Sequence, residues 1–281
     1  AVAGNSDITT GFPVDLAFQL RRTSGSKAVV TRVTGKNSLE TRNTNAETTN
    51  ANAWYESNTQ LLNTGLFTAD SAFHLFKRAP GFLDVVAYSG TGLDQVVNHG
   101  LGVIPDFMIA KARSTSTAWR VFYKDSGTEK NLQLSGVNAA GNIPASHPWS
   151  PTATTFRADQ YFSLSQSGQT FVAYLFATLS GISKVGLYTG TGNAIDVDCG
   201  FSSGARYLLI KRTDSNGDWY VYDSARGIVS GNDPYLLIND SAGEVTGTDY
   251  IDPLASGFTV TSSAPTGLNA DGGTYLFLAI A

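Results

Sequence analysis

The chain repeats itself. When residues 82–180 are written above residues 182–280, the landmarks fall into register. Tyr88-Ser89-Gly90-Thr91-Gly92 stands over Tyr188-Thr189-Gly190-Thr191-Gly192. At the same offset Gly100 meets Gly200, Ile109 meets Leu209, Lys111 meets Lys211, Trp119 meets Trp219 and Val121 meets Val221. Small insertions then widen the spacing, so that Leu132 and Leu134 pair with Leu236 and Ile238, Phe156 with Phe258, and Thr170-Phe171 with Thr274-Tyr275. A more eroded copy comes first. Its His74-Leu75-Phe76, followed by Gly81, matches Tyr174-Leu175-Phe176 and Gly181, and its Phe12-Pro13-Val14-Asp15 resembles Val103-Ile104-Pro105-Asp106. Units this long are whole domains, because one layer of a solenoid runs to roughly 20–50 residues. The repetition predicts three tandem domains over residues 1–81, 82–181 and 182–281.

Composition narrows what those domains are. With 42% hydrophobic residues the chain can bury a core, and 29 glycines disfavour long helices and suit strands joined by tight turns. The 19 basic residues against 23 acidic ones form no block, which argues against a nucleic-acid partner, since that binding needs a basic face. The longest apolar runs, such as residues 171–179, are too short to insert into a membrane as a spanning helix. The opening residues do not read as a secretory signal, and a start at Ala1 suggests a processed terminus or part of a longer product. Cys199 is the only cysteine, so no intrachain disulfide can form.

Side-chain periodicity is close to two. Residues 84–88, 119–123 and 219–222 cluster β-branched and aromatic side chains between Gly-, Asn- and Asp-rich turns. Residues 107–110 and 207–210 are continuous apolar runs, which predicts strands buried on both faces. Residues 50–62 are the one place where a short helix is expected. The expected fold is all-β: three tandem β-sandwich or jelly-roll-like domains. The first copy lacks its opening strand, because nothing before Ala1 matches residues 82–92. A sandwich short of one strand has an exposed edge, which another chain can extend. The junctions at Gly81 and Gly181 are too short to swing, so the copies should form a stiff rod or a compact triplet.

No motif carries catalysis. His99 in Asn98-His99-Gly100-Leu101-Gly102 becomes Cys199 in the third copy and Thr10 or a near neighbour in the first, which a catalytic base would not tolerate. Cys199 reads as a small buried hydrophobe. Asp214-Ser215-Asn216-Gly217-Asp218 has oxygen ligands at alternating positions, yet no bidentate Glu follows, and a turn before Trp219 explains it. Gly90-Thr91-Gly92 and Gly190-Thr191-Gly192 lack the Lys-Ser/Thr and helix of a phosphate loop, so they read as turns. No catalytic, cofactor or metal residue is therefore expected. Trp119 and Trp219 share one repeat position and read as core. Trp54 and Trp149, the latter beside His147, are unique to their copies and lie in polar loops. Those three residues, Trp54, Trp149 and His147, are the candidates for surface recognition.

The pattern Tyr88-x-Gly90-x-Gly92, then Val97 through Lys111, then Trp119-x-Val121 resembles repeat modules of virion proteins from tailed bacteriophages, above all tail and fibre proteins of marine phages. Lys211-Arg212-Thr213, Asp218 through Asp223 and Gly273 through Ala281 match the same module. The resemblance implies a non-enzymatic virion protein, a tail-fibre or tail-appendage component that presents β modules for host-surface adhesion. Its implied partners are other virion proteins, a host-surface glycan or receptor, and further copies of itself. Fibre proteins of this kind are often homotrimers, and three copies in one chain would imitate a trimer. Two alternatives stand beside it: a capsid decoration protein that clamps capsid subunits, and a carbohydrate-binding module with exposed Trp54 or Trp149.

Overall fold

A computed structural model describes residues 8–49, 60–61 and 70–281, with residues 60–61 described in backbone only. It is all-β, and every strand pairing is antiparallel. Three large sheets dominate, each built from one copy. Sheet 2 runs in the order Gly141–Asn142, Thr128–Gln133, Arg120–Asp125, Phe107–Ala112, Thr170–Phe176, Leu83–Ser89. Sheet 3 has the order Leu236–Leu237, Trp219–Asp223, Tyr207–Arg212, Thr274–Ile280, Ser183–Thr189. Sheet 1 follows the same path through Thr48–Thr49, Asn37–Glu40, Lys27–Thr31, Leu16–Arg21 and Ser71–Phe76, and there it stops. Among the described residues nothing takes the place of the opening strands Leu83–Ser89 and Ser183–Thr189.

The register reproduces the sequence repeat. Ile109 faces Val121, which faces Leu132; Leu209 faces Val221, which faces Leu236; Phe18 faces Val29, which faces Leu39. A smaller sheet covers the outer face of each copy: Ile8–Thr9 with Gln60–Leu61, Gln95–Asn98 with Thr155–Ala158, and Ile195–Asp198 with Gly257–Val260 and Ile251–Leu254. Each copy is thus a sandwich with its own outer core, such as Met108, Ala110, Phe122, Phe156 and Trp149 in copy 2.

The apolar runs have a second consequence. In Phe107–Ala112 every residue is buried, so the sheet is apolar on both faces, and only one face meets the small sheet. The other faces of the three sheets meet one another. Phe18, Val29 and Leu39 from copy 1, Ile109, Val121 and Leu132 from copy 2, and Leu209, Val221 and Leu236 from copy 3 form a single buried cluster. The compact triplet is therefore realised and the stiff rod is not. A sheet with two apolar faces cannot leave one in water, and the cheapest cover is the matching face of its sister copies.

Contacts between neighbours close this arrangement into a ring. Trp119 Nε1 donates to the Glu40 carbonyl of copy 1 at 2.9 Å, and Trp219 Nε1 donates to the Gln133 carbonyl of copy 2 at 3.0 Å. Copy 1 has lysine at the same register position, since Lys27 faces Leu20 as Trp219 faces Lys211. The third junction uses other groups. Thr41 Oγ1 donates to the Ile238 carbonyl at 2.5 Å, and the Gly25 and Glu244 amides bond across to Ser241 and Arg22.

Of residues 50–62, where the sequence suggested a short helix, only Gln60–Leu61 is described, and it is a strand. The Gly-Thr-Gly segments are turns that pass against the chain. A β-carbon at Gly90 would strike the Gln166 carbonyl oxygen and one at Gly190 the Ala270 carbonyl oxygen. Gly90→Ala and Gly190→Ala are each expected to lower stability by about 1–3 kcal/mol in chemical denaturation, because backbone must move to admit the methyl group. An unchanged midpoint in both would show that these turns yield freely.

Candidate functional site

Beside Ser71–Phe76, where sheet 1 meets copy 3, lies a groove of about 520 Å³ lined by Leu75, Phe82, Tyr207, Ala225 and Ile280 among others. A smaller hollow of about 120 Å³ continues along the same strand past Ala72 and Arg226.

A buried polar cluster lies beneath the groove. His74 Nε2 sits 2.9 Å from Asp223 Oδ2, and the His74 ring packs edge-on to Tyr207 with centroids 5.0 Å apart. Asp223 also accepts from the Ala225 and Arg226 amides and from Arg226 Nε. Arg226 continues to Glu244 at 3.0 Å, and Glu244 to Arg22 at 2.7 Å. Burial pushes the pKa of His74 down, so the ring is neutral at pH 7. Burial would by itself raise that of Asp223, but hydrogen bonds from His74 and Arg226 and the Arg226 charge hold its carboxyl well below the usual range. An ionised Asp223 requires the ring hydrogen on Nε2. His74 Nδ1 is then a bare acceptor, buried and without a partner. Among the described residues no hydroxyl or thiol is bonded to it.

The residues singled out in the sequence lie elsewhere. Trp54 falls outside the described residues. Trp149 is not a surface residue: only 2% exposed, it stacks on Phe122 at 6.0 Å inside the outer core of copy 2. Its loop looked polar, but the Glu129 carboxylate accepts the Trp149 and Ser150 amides and holds the ring inward. His147 does reach the surface. It stacks on Tyr161 at 4.6 Å, and Tyr161, 58% exposed, is an open ring that the sequence reading overlooked in an apolar-looking stretch. Nδ1 of His147 meets Asp159, which together with Asp94 gives a histidine and two carboxylates within ligand distance of one another. Arg157 bridges both acids, at 2.6 Å and 2.9 Å, so its guanidinium already supplies the cation there.

The remaining motifs have structural roles. His99 Nδ1 accepts the Leu101 amide and Nε2 lies on the Thr152 carbonyl, pinning the glycine bend. Asp106 and Asp15, the Asp of each Pro/Val-Asp pair, accept the Thr178 and Arg78 amides where the last strand ends. Asp214 pairs with Arg212 and accepts the Thr274 amide. Lys111 and Lys211 are fully buried, each with Nζ on backbone carbonyls, and burial lowers both to about 8. Cys199 is buried and its thiol is pushed up to about 12 by burial. It is expected to resist a thiol reagent at pH 8 in the folded protein and to react fully once unfolded. Rapid labelling of the native chain would overturn that placement.

No curated protein and no solved structure matches the chain. One family model, described as a domain of unknown function (DUF7483), matches residues 6–281 and so takes in all three sheets and the core they share. The chain belongs to the DUF7483 family.

Proposed function

We propose that the chain is a non-enzymatic structural protein of a tailed-phage virion, a tail-fibre or tail-appendage block that displays its outer loops toward a host surface. The observation that carries this reading is the closed ring: the inner faces of three sheets share one core. One polypeptide thereby presents a threefold block, the symmetry with which a trimeric fibre is built. The sequence resemblance of copies 2 and 3 to phage tail and fibre modules supplies the setting. The chain stands in for a trimer, so it is predicted to sediment as a single chain. Burial of Trp149 removes one of the two tryptophans on which the carbohydrate-binding alternative rests, while Trp54 lies outside the described residues.

The test is to image the intact particle at a resolution that traces this chain. A single copy on the axis of a tail appendage supports the reading. A chain lying flat across capsid subunits overturns it in favour of a clamp.

A further inference from the structure

We infer that a hollow on the outer side of copy 3, between Ser183–Thr189 and Ile195–Asp198, is a binding site for a neutral sugar ring. The hollow measures about 370 Å³, and every residue lining it belongs to copy 3. Hollows of about 300–1,000 Å³ are the size that small ligands occupy. The two strands that flank it stand at the ends of their sheets, Ser183–Thr189 in sheet 3 and Ile195–Asp198 in the small sheet. Phe277, Val197 and Tyr188 form an apolar floor. Asp196 and Asp198, both exposed, and Lys184 supply the polar lining.

Copy 2 shows how the same place is closed. Val86 faces Ala173 there, where Gly186 faces Phe277 in copy 3. The Val86 side chain packs against the outer core of its copy. Gly186 has no side chain, and the Phe277 ring lies so close that a β-carbon on Gly186 would sit 2.6 Å from Phe277 Cζ. The exchange moves bulk from the flanking strand to its neighbour and leaves an aromatic floor where copy 2 has a branched aliphatic wall. The charges change with it, since Asp196 replaces Val96 and Lys184 replaces Asp84.

These charges are not spent on one another. Asp196 Oδ1 accepts the Thr259 hydroxyl at 2.6 Å and Asp198 Oδ1 accepts the Gly200 amide at 2.8 Å, so packing uses one oxygen of each. Among the described residues Oδ2 of each acid accepts no hydrogen bond, and Lys184 forms no ion pair with either. In copy 2 Asp84 accepts the Gly100 amide at 2.6 Å; in copy 3 Asp198 holds the matching bend, which releases position 184 from that task.

A pyranose ring suits this lining. Its C–H face covers the apolar floor, and its hydroxyls donate to carboxylate oxygens and accept from the ammonium. A hard cation takes six or more oxygen ligands, and the one cluster of three metal-ligating side chains among the described residues lies in copy 2. An ammonium ligand would meet the charge of Lys184. Sugar binding here does not depend on where in a particle the chain sits.

The test follows the amide resonances of the whole 281-residue protein as the methyl α-glycosides of glucose, galactose, mannose and rhamnose are added in turn. At least one is expected to shift the amides of residues 184–188 and 195–198 in a saturable way. Asp196→Val, which installs the residue of copy 2 at an exposed position, should weaken that binding at least about tenfold, and Lys184→Ala about three- to tenfold. If Asp196→Val does not fold, Asp196→Asn keeps the shape without the charge and should weaken binding by a similar factor. Tyr161→Ala, which removes the open ring of copy 2, should leave it unchanged. The site is overturned by no saturable shift with any of the sugars, by shifts centred on Tyr161, or by equal affinity in the Asp196 variant. The same shifts produced by calcium chloride alone would make it a cation site instead.

Discussion

Trp219→Ala is expected to lower the stability of the entire chain by about 3–5 kcal/mol, seen as one cooperative transition displaced to lower denaturant. The ring is 1% exposed and packs on Phe107 of copy 2, with centroids 6.5 Å apart. Its truncation opens a void at the junction of two copies, and the Gln133 carbonyl loses its donor. Trp219→Phe keeps most of the packing and loses the hydrogen bond, so a cost of about 1–2 kcal/mol is expected. The cooperativity matters as much as the size. The damaged cluster contains side chains from all three copies, so no copy can melt while the others keep their inner faces dry. Two separated transitions, with copy 3 lost first, would refute the shared core.

Arg226→Ala should be comparably harmful, about 3–5 kcal/mol, for an electrostatic reason. Arg226 is 6% exposed and lies between Asp223 and Glu244, and its removal takes the shared cation from two buried carboxylates at the junction of copies 1 and 3, leaving His74 beside Asp223 and Arg22 beside Glu244. Arg226→Lys supplies the charge without the two-armed geometry and should recover only part of the loss. The same cluster gives the protein an acid sensitivity. His74 is neutral in the fold because its pKa lies below 6.5, while the unfolded chain takes up that proton near 6.5. The unfolded state then binds more protons, so stability falls as pH drops below about 6.5. Asp223 acts in the same direction lower down: its contribution is complete above about pH 3.9 and is lost as pH falls further. His74→Gln should flatten the upper part of that slope, the part that begins below about pH 6.5. An unaltered pH profile in the variant would place the acid sensitivity elsewhere.

What was legible in the sequence was whatever depends on near neighbours along a strand. Alternation of apolar residues, the Gly-Thr-Gly turns and the spacing of Trp119 and Trp219 follow from local conformational preference and from the period of a pleated strand. These features gave the all-β class and the copy-to-copy register. The inward position of Trp149 was hidden because the Glu129 carboxylate that draws its loop inward is 20 residues away in sequence.

The sequence by itself therefore determined the strands, their faces and the threefold repetition. Only the tertiary structure decided that the copies close around one axis, which two-faced apolar sheets demand but no single copy can satisfy. It also decided the pairing of His74 with Asp223, 149 residues apart, and the groove above them. Burial of a polar group and the shape of a groove depend on which surfaces meet, and that is settled only when distant parts of the chain exclude water together.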